Sequence, residues 1–421
     1  MCYNSIIKKT LLIICIIAFS LPLLCGDYDN QVLKYYESQK VKAVFKVLEK
    51  QEEELKSYWK AIASIYSPSG NETLRAQYIT RAFKRYNIPD AYIDKHGNAV
   101  GIINGEKPGP AIVFLGTMDD LATVAELVKN WKKPIKETDG KLIGPGTHIG
   151  ATCVSILALA KLFTLPDVTF KGKVILVGVV EEETGLKGIK GFLDDHPGEI
   201  DYVVDIMAGN GRISYGAVGI HWFKIHFKGP KGHTLRGGLP NVTRGVAKTV
   251  DRVFAIPLPT EPPGKRSYLN ISMLGAGQVY NHKSNDGWFS VDLRSMDNDT
   301  LLKIKKQIFA IAKKVAAEEQ LQWEVEPFSE SPAGQIPGAR HSALVRIGEE
   351  AMKLLGVEVS LTDRGSSNMN VAIGRQIPSI NIGGNRGEGR NTNAEYANIA
   401  PIFDGIKVNF LIGYILLNGK K

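Results

Sequence analysis

Val174-Ile175-Leu176-Val177-Gly178-Val179-Val180 runs directly into Glu181-Glu182-Glu183-Thr184-Gly185. An apolar run this short, closed by charge, reads as a strand buried on both faces of a sheet. Residues 111–115 and 202–206 repeat the pattern, with Asp119-Asp120 after the first and Asp205 near the end of the second. Between 111–115 and 174–180 lies a long apolar helix over 151–163. Strands alternating with helices predict an α/β sheet covered on both faces. In such sheets ligand sites lie beyond the carboxyl ends of the strands. A single acidic segment there is as readily a solvated loop. Three strands that deliver acids to one edge favour a site, and paired carboxylates suit a dinuclear metal centre with a carboxylate base.

The rest of the chain sets the frame for that edge. At 421 residues it exceeds one compact core, so two domains are expected. With 44% hydrophobic and 23% charged residues it is neither a disordered chain nor a disulfide scaffold. The formal charge of +9 is spread along the chain, and no cluster joins basic residues to stacking aromatics, which excludes a nucleic-acid footprint. Lys8 and Lys9 precede an apolar run from Leu11 to Cys25, the pattern of an export signal and too short for a membrane span. Residues 1–25 are therefore expected to leave as a signal peptide, giving an exported protein. Cys25 offers a lipid-attachment site to the membrane, with simple cleavage or an uncleaved anchor as the alternatives. After cleavage Cys153 and at most Cys25 remain, so no disulfide framework is available.

Helical spacing covers 31–86, with Val41, Val44, Phe45, Val47 and Leu48 recurring between charged residues. An extended stretch over 94–101 follows. Near Ser214 the pattern changes: residues 217–228 alternate as a half-exposed strand, followed by a helix over 241–254 and strands over 267–275 and 287–294. An amphipathic helix over 300–320 and a strand over 321–328 complete a β-α-β-β-α-β unit, the ferredoxin-like order. Helix 341–355 and strand 377–382 then resume the first pattern. The chain thus reads as one α/β domain, 27–213 and 330–421, interrupted by a smaller one at 214–329.

Five ordered motifs carry a family resemblance. They are Gly144-Pro145-Gly146-Thr147-His148, Glu181-Glu182-Glu183-Thr184-Gly185, Gly229-Pro230-Lys231-Gly232-His233-Thr234, Val291-Asp292-Leu293-Arg294-Ser295 and Gly365-Ser366-Ser367-Asn368-Met369-Asn370. From about residue 50 to the C-terminus the chain resembles the metallo-aminoacylases and carboxypeptidases that include peptidase T, glutamate carboxypeptidase and succinyl-diaminopimelate desuccinylase. The resemblance implies a zinc-peptidase-like α/β domain of mixed sheet with an inserted ferredoxin-like α+β lid, which also serves dimerisation. It implies two zinc ions, with Glu181 as general base, Glu182 and Asp205 as metal ligands, and Asp119 orienting a ligand. His233 matches a lid histidine that reaches a partner subunit's site, and Asn281, Arg294 and Asn370 match substrate-binding or lid-packing polar positions.

Three ligand positions depart from that pattern. Thr117 stands in the place of a histidine, Ile149 in that of the bridging aspartate, and Asn391 in that of the last histidine. Each zinc would keep one carboxylate, where zinc sites need at least three protein ligands. His148 adjoins Ile149, but one imidazole cannot bridge two metals. No zinc is therefore expected, and the first expectation for function is a non-catalytic relative that retains a cleft for a peptide-like or N-acyl amino acid ligand. The alternative is an active amide hydrolase or acyl-transfer enzyme that uses Glu181 as base with a rebuilt or absent metal site. A homodimer paired through the lid is expected in either case.

Overall fold

The computed structural model describes residues 28–207, 209, 211–260, 266–383 and 387–419. The expected signal segment 1–25 and Cys25 lie outside the described residues. The large sheet has eight strands in the order Tyr92–Ile93, Ala99–Asn104, Lys171–Val179, Lys107–Thr117, Tyr202–Ile206, Ser379–Ile382, Arg212–Ser214 and Ser360–Thr362. Lys107–Thr117 runs parallel to both Lys171–Val179 and Tyr202–Ile206, while Ala99–Asn104 is antiparallel, so the sheet is mixed.

Alternation along the central strands divides the core. Ile112, Phe114, Leu176 and Val204 pack with helices Thr147–Phe163 and Ile399–Asn418, whereas Val113, Leu115, Val177 and Val203 pack with Lys187–Asp195 and Met369–Gly374. Ile399–Asn418 is long and apolar enough to cross a membrane, yet 72% of its apolar window is buried inside the protein. Its Phe410 ring lies 5.0 Å from that of Phe163. The helical stretch expected over 31–86 is four helices: Tyr28–Glu37, Gln39–Lys50, Glu52–Ala63 and Thr73–Arg85. Ser38 makes the first break, its Oγ accepting the Val41 N–H at 3.2 Å as an N-cap.

Registry then places the acids. Thr117 is opposite Val179 and Leu115 is opposite Asp205, so the three parallel strands end together. Asp119-Asp120, the glutamate run and Asp205 share one sheet edge for that reason.

The second sheet has the order Ser267–Asn270, Asp286–Ser295, Gly219–Lys228, Gln322–Ser331, all antiparallel. Helices Val242–Phe254 and Asn298–Glu319 cover one face, where Phe223, Ile225, Phe227, Phe289 and Val291 meet Val242, Val246, Leu301 and Ile304. This is the expected β-α-β-β-α-β order with one difference. The strand expected at 267–275 is two pieces, Ser267–Asn270 and Leu274–Ala276. Asn270 pairs with Asp292 but Leu274 with Phe289, so four residues advance against three and a bulge results. The other face of this sheet carries Trp222 and Arg294 towards the acidic edge.

Candidate functional site

The cleft lies between the acidic edge and the open face of the second sheet, a cavity of about 190 Å³ lined by Glu182, Glu183, Arg390, Arg294, Trp222 and Ser366, among others. Asp119, fully buried, builds its floor. Its Oδ1 accepts the Glu182 N–H at 2.9 Å, and its Oδ2 accepts the Glu183 N–H at 3.0 Å and the Ser69 hydroxyl at 2.7 Å. Beside it Asp120 pairs with Arg75 at 2.8 Å, both side chains without exposure.

The three glutamates part company at a left-handed turn. Glu181 sits at φ +51°, in the left-handed region. The turn sends its side chain away from the cavity to Lys187, 2.6 Å off, while its N–H donates to Glu72 at 3.0 Å. Glu182 and Glu183 face the cavity instead. Burial pushes the Glu182 carboxyl well above the usual range, and Glu183, Asp119 and Asp205 push it further. Asp205 is fully buried; its Oδ2 accepts the Met369 N–H at 3.2 Å and an Asn381 amide N–H at 3.4 Å. Burial raises its carboxyl to about 6, with Ser367, Met369, Asn368 and Asn381 pulling the other way.

A small sheet with the order Gly387–Glu388, Tyr396–Asn398, Lys141–Ile143, Lys136–Thr138 brings the C-terminal motif to this edge. Glu395 accepts the His148 N–H at 3.0 Å, and its carbonyl accepts the Gly144 N–H at 2.8 Å. A carboxylate at the start of helix Thr147–Phe163 is electrostatically well placed. Gly146 enters that helix at φ +82°, where an added Cβ would stand 2.5 Å from the Ala63 carbonyl oxygen. Gly389 is also left-handed, and the turn from Gly389 to Thr392 directs Arg390 inward against Glu183. Burial and Arg390 together lower the His148 imidazole to about 4, so it is neutral at physiological pH.

Residues 113–412 match the model of peptidase family M20/M25/M40. The chain belongs to this family. A LysW-lysine/LysW-ornithine hydrolase of Thermococcus kodakarensis is 30% identical over 152 residues, 36% of this chain and 38% of that protein. The alignment thus spans about two fifths of that curated relative. Among solved structures, a tripeptidase from Staphylococcus aureus superposes with a TM-score of 0.71 at 20% identity, covering 87% of this chain and 98% of that one. A dipeptidase from Saccharomyces cerevisiae gives 0.70 at 13% identity, covering 90% and 99%. These superpositions establish the M20-type fold.

Within that M20 frame the expected site residues separate into three groups. Glu182 and Arg294 line the cleft, and Asp119 and Asp205 are buried at the strand ends beneath it. Arg294 is forked onto Asp292 at 2.9 and 3.1 Å and donates to Ser366 at 3.3 Å, with its guanidinium over the Trp222 ring. Glu181, expected as base, does not line the cavity, and Glu183, to which the resemblance assigns no role, does. His233 and Asn281 also stand away from the acids, on the paired strands Gly232–His233 and His282–Lys283 and the turn beside them. The His233 ring accepts the Leu235 N–H at 3.2 Å and packs edge-on to His282. Asn370, expected to touch substrate, is buried and spans two backbone groups, the Ser367 N–H at 3.3 Å and the Val218 carbonyl at 2.7 Å.

The three departing ligand positions have other employment. Thr117 is buried, donates to Met207 Sδ at 3.5 Å and accepts from the Asn368 amide at 3.2 Å. Ile149 is buried in the main core. Asn391 is exposed, its Oδ1 accepting the Thr123 hydroxyl at 2.7 Å. Among the described residues no group of three or more His, Cys, Asp or Glu side chains is arranged to hold a metal ion.

Proposed function

We propose that this protein is a ligand-binding, non-hydrolysing member of the M20 peptidases, whose cleft takes a peptide-like or N-acyl amino acid ligand without zinc. One observation carries the reading: positions 117, 149 and 391 supply an engaged hydroxyl, a hydrocarbon and an outward amide where the family resemblance implies metal ligands. The residues present do not fit two zinc ions, since a hydrocarbon cannot bridge metals and each site keeps one carboxylate. The apolar and polar lining of the cleft, Leu186, Met207 and Trp222 beside Arg294 and serines 329, 331 and 366, suits an amide-containing ligand with an apolar side chain.

A second reading is favoured by Glu182, a buried carboxyl of raised pKa facing the cleft, as is typical of a general base. The same assay decides between them. Purified protein is incubated with a panel of dipeptides and N-acetyl amino acids, with and without added zinc, and products are read by mass spectrometry while binding is read by thermal shift. Ligand-induced stabilisation without turnover is expected; hydrolysis abolished by Glu182→Gln would replace the first reading with the second.

The proposal extends to export directed by residues 1–25, attachment through Cys25, and pairing of two copies through the second sheet unit. Leu235 and Tyr280 stand almost fully exposed beside His233 and Asn281, which supports such a contact. Light scattering is expected to give a dimer mass, and a monomer mass at micromolar concentration would remove the pairing.

A further inference from the structure

The acidic edge poses an electrostatic problem. Glu182, Glu183, Asp119, Asp120, Asp205 and Glu395 converge on strand ends and loops that are largely closed to water. Unpaired carboxylates in such a place are strongly penalised, so a cation must offset them or protons must neutralise them. Arg75 deals with Asp120 from below. Glu182 and Glu183 face the other way, into the cleft.

Arg390 is the cation on that side. Its Nη2 pairs with Glu183 Oε1, and its side chain lines the same cavity as both glutamates. Its positive charge also acts on Glu182 and Glu395, so its influence reaches beyond the one carboxylate it touches. The backbone is built for this placement. Gly389 takes φ +71°, where a Cβ would lie 2.6 Å from the Ala394 carbonyl oxygen, and Asn391 takes φ +69°. Thr392 closes the turn with its N–H and hydroxyl on the Gly389 carbonyl at 3.0 and 2.7 Å. With Asn391 held outward on Thr123, its predecessor Arg390 is the residue that enters. A planar, permanently charged and weakly hydrated guanidinium is also the side chain best suited to a buried carboxylate partner.

We infer that Arg390 is a built-in cation of this cleft: its guanidinium, held on Glu183, supplies the positive charge that metal ions supply in a dinuclear site, and it makes the acidic edge independent of metal. The inference concerns charge compensation and does not depend on whether the protein hydrolyses anything. Turnover without zinc would refute the proposed function and leave Arg390 in its role, whereas tight zinc binding would remove the role itself.

The test uses the purified full chain, its Arg390→Ala and Arg390→Lys variants, and the double variant Arg390→Ala/Glu183→Gln. Zinc content after dialysis is read by elemental analysis, and melting temperature is read with EDTA, with added zinc and with ethylguanidinium. Wild type is expected to hold far less than one zinc per chain and to melt at the same temperature under all conditions. Arg390→Ala is expected to melt lower and to be raised by zinc or ethylguanidinium, because the unpaired glutamates then recruit an external cation. Arg390→Lys should keep the wild-type indifference to zinc and EDTA. If Arg390→Ala does not fold, the double variant should fold, since both charges have gone. Stoichiometric zinc in wild type, a wild-type melting temperature lowered by EDTA, an Arg390→Ala variant as stable as wild type, or a double variant as unstable as the single would each overturn the inference.

Discussion

Replacing Arg75 by methionine removes the cation from an ion pair that has no contact with solvent. Arg75 Nη2 lies 2.8 Å from Asp120 Oδ2 and 2.7 Å from the Ile65 carbonyl, and Nη1 donates to the Met118 carbonyl. Met118 keeps a second donor, the Ser67 hydroxyl at 3.0 Å, so the main loss falls on Asp120. Removing one member of a buried pair costs about 3–5 kcal/mol, chiefly because the other charge is left in a low dielectric. Burial already raises the Asp120 carboxyl, and Arg75 is the strongest influence pulling it down. Without Arg75 the folded-state pKa climbs further, and the folded protein binds a proton that the unfolded chain releases at about 4. A raised carboxyl pKa subtracts stability as pH rises past the unfolded value, by up to about 1.4 kcal/mol per pH unit until the folded pKa is reached. The Arg75→Met defect should therefore be small near pH 4.5 and larger at pH 7.5. Urea unfolding of wild type, Arg75→Met and Arg75→Met/Asp120→Asn at both pH values measures it, and the double variant should recover most of the loss at pH 7.5. A defect below about 1 kcal/mol at pH 7.5, or one of equal size at both pH values, would refute this account of the strand end that carries Asp119.

Asp205, raised from 3.8 to about 6 in the folded state, costs about 3 kcal/mol at neutral pH, a penalty that is absent below pH 4 and complete above pH 6. Asp205→Asn should consequently be about 1–2 kcal/mol more stable than wild type at pH 7, after the cost of burying a new N–H, and lose that advantage at pH 4.5 in thermal melts; a less stable variant at pH 7 would mean that the carboxylate serves a bound cation. Glu181→Gln, at a partly exposed pair with Lys187, should change stability by less than about 1 kcal/mol and leave ligand-induced stabilisation unchanged, and any loss of ligand response would return Glu181 to the site. Cys153, buried and with its thiol pushed up to about 12, should resist iodoacetamide at pH 8 until denaturant is added, as peptide mass spectrometry would show; labelling of the native protein would contradict the packing of helix Thr147–Phe163.

Much of this molecule was legible before any coordinates. Short apolar strands ending in acids, the switch to period-two alternation at 217–228 and the amphipathic helix before the last strand of the second unit each follow from local periodicity, and they yield the two sheets and the edge where the cleft lies. The departure of Thr117, Ile149 and Asn391 from the ligands that the resemblance implies was equally readable, because residue identity does not depend on the fold. What periodicity cannot supply is the direction of a side chain on irregular backbone. Three adjacent glutamates look alike in sequence, but on the left-handed turn at Glu181 it is Glu182 and Glu183 that line the cleft while Glu181 pairs with Lys187. The bulge at 271–273 has no sign in the sequence for the same reason, since pairing register is set by the neighbouring strand. Arg390 left no local sign at all. It sits 207 residues from Glu183, in a turn carried into place by a four-stranded sheet of two- and three-residue strands, and its meeting with the acid is a fact of the tertiary structure. Sequence determined which charges and which hydrocarbons this protein has; the packed backbone decided which of them meet, because Coulomb energy depends on separation in space and on exclusion of water, and neither is written along the chain.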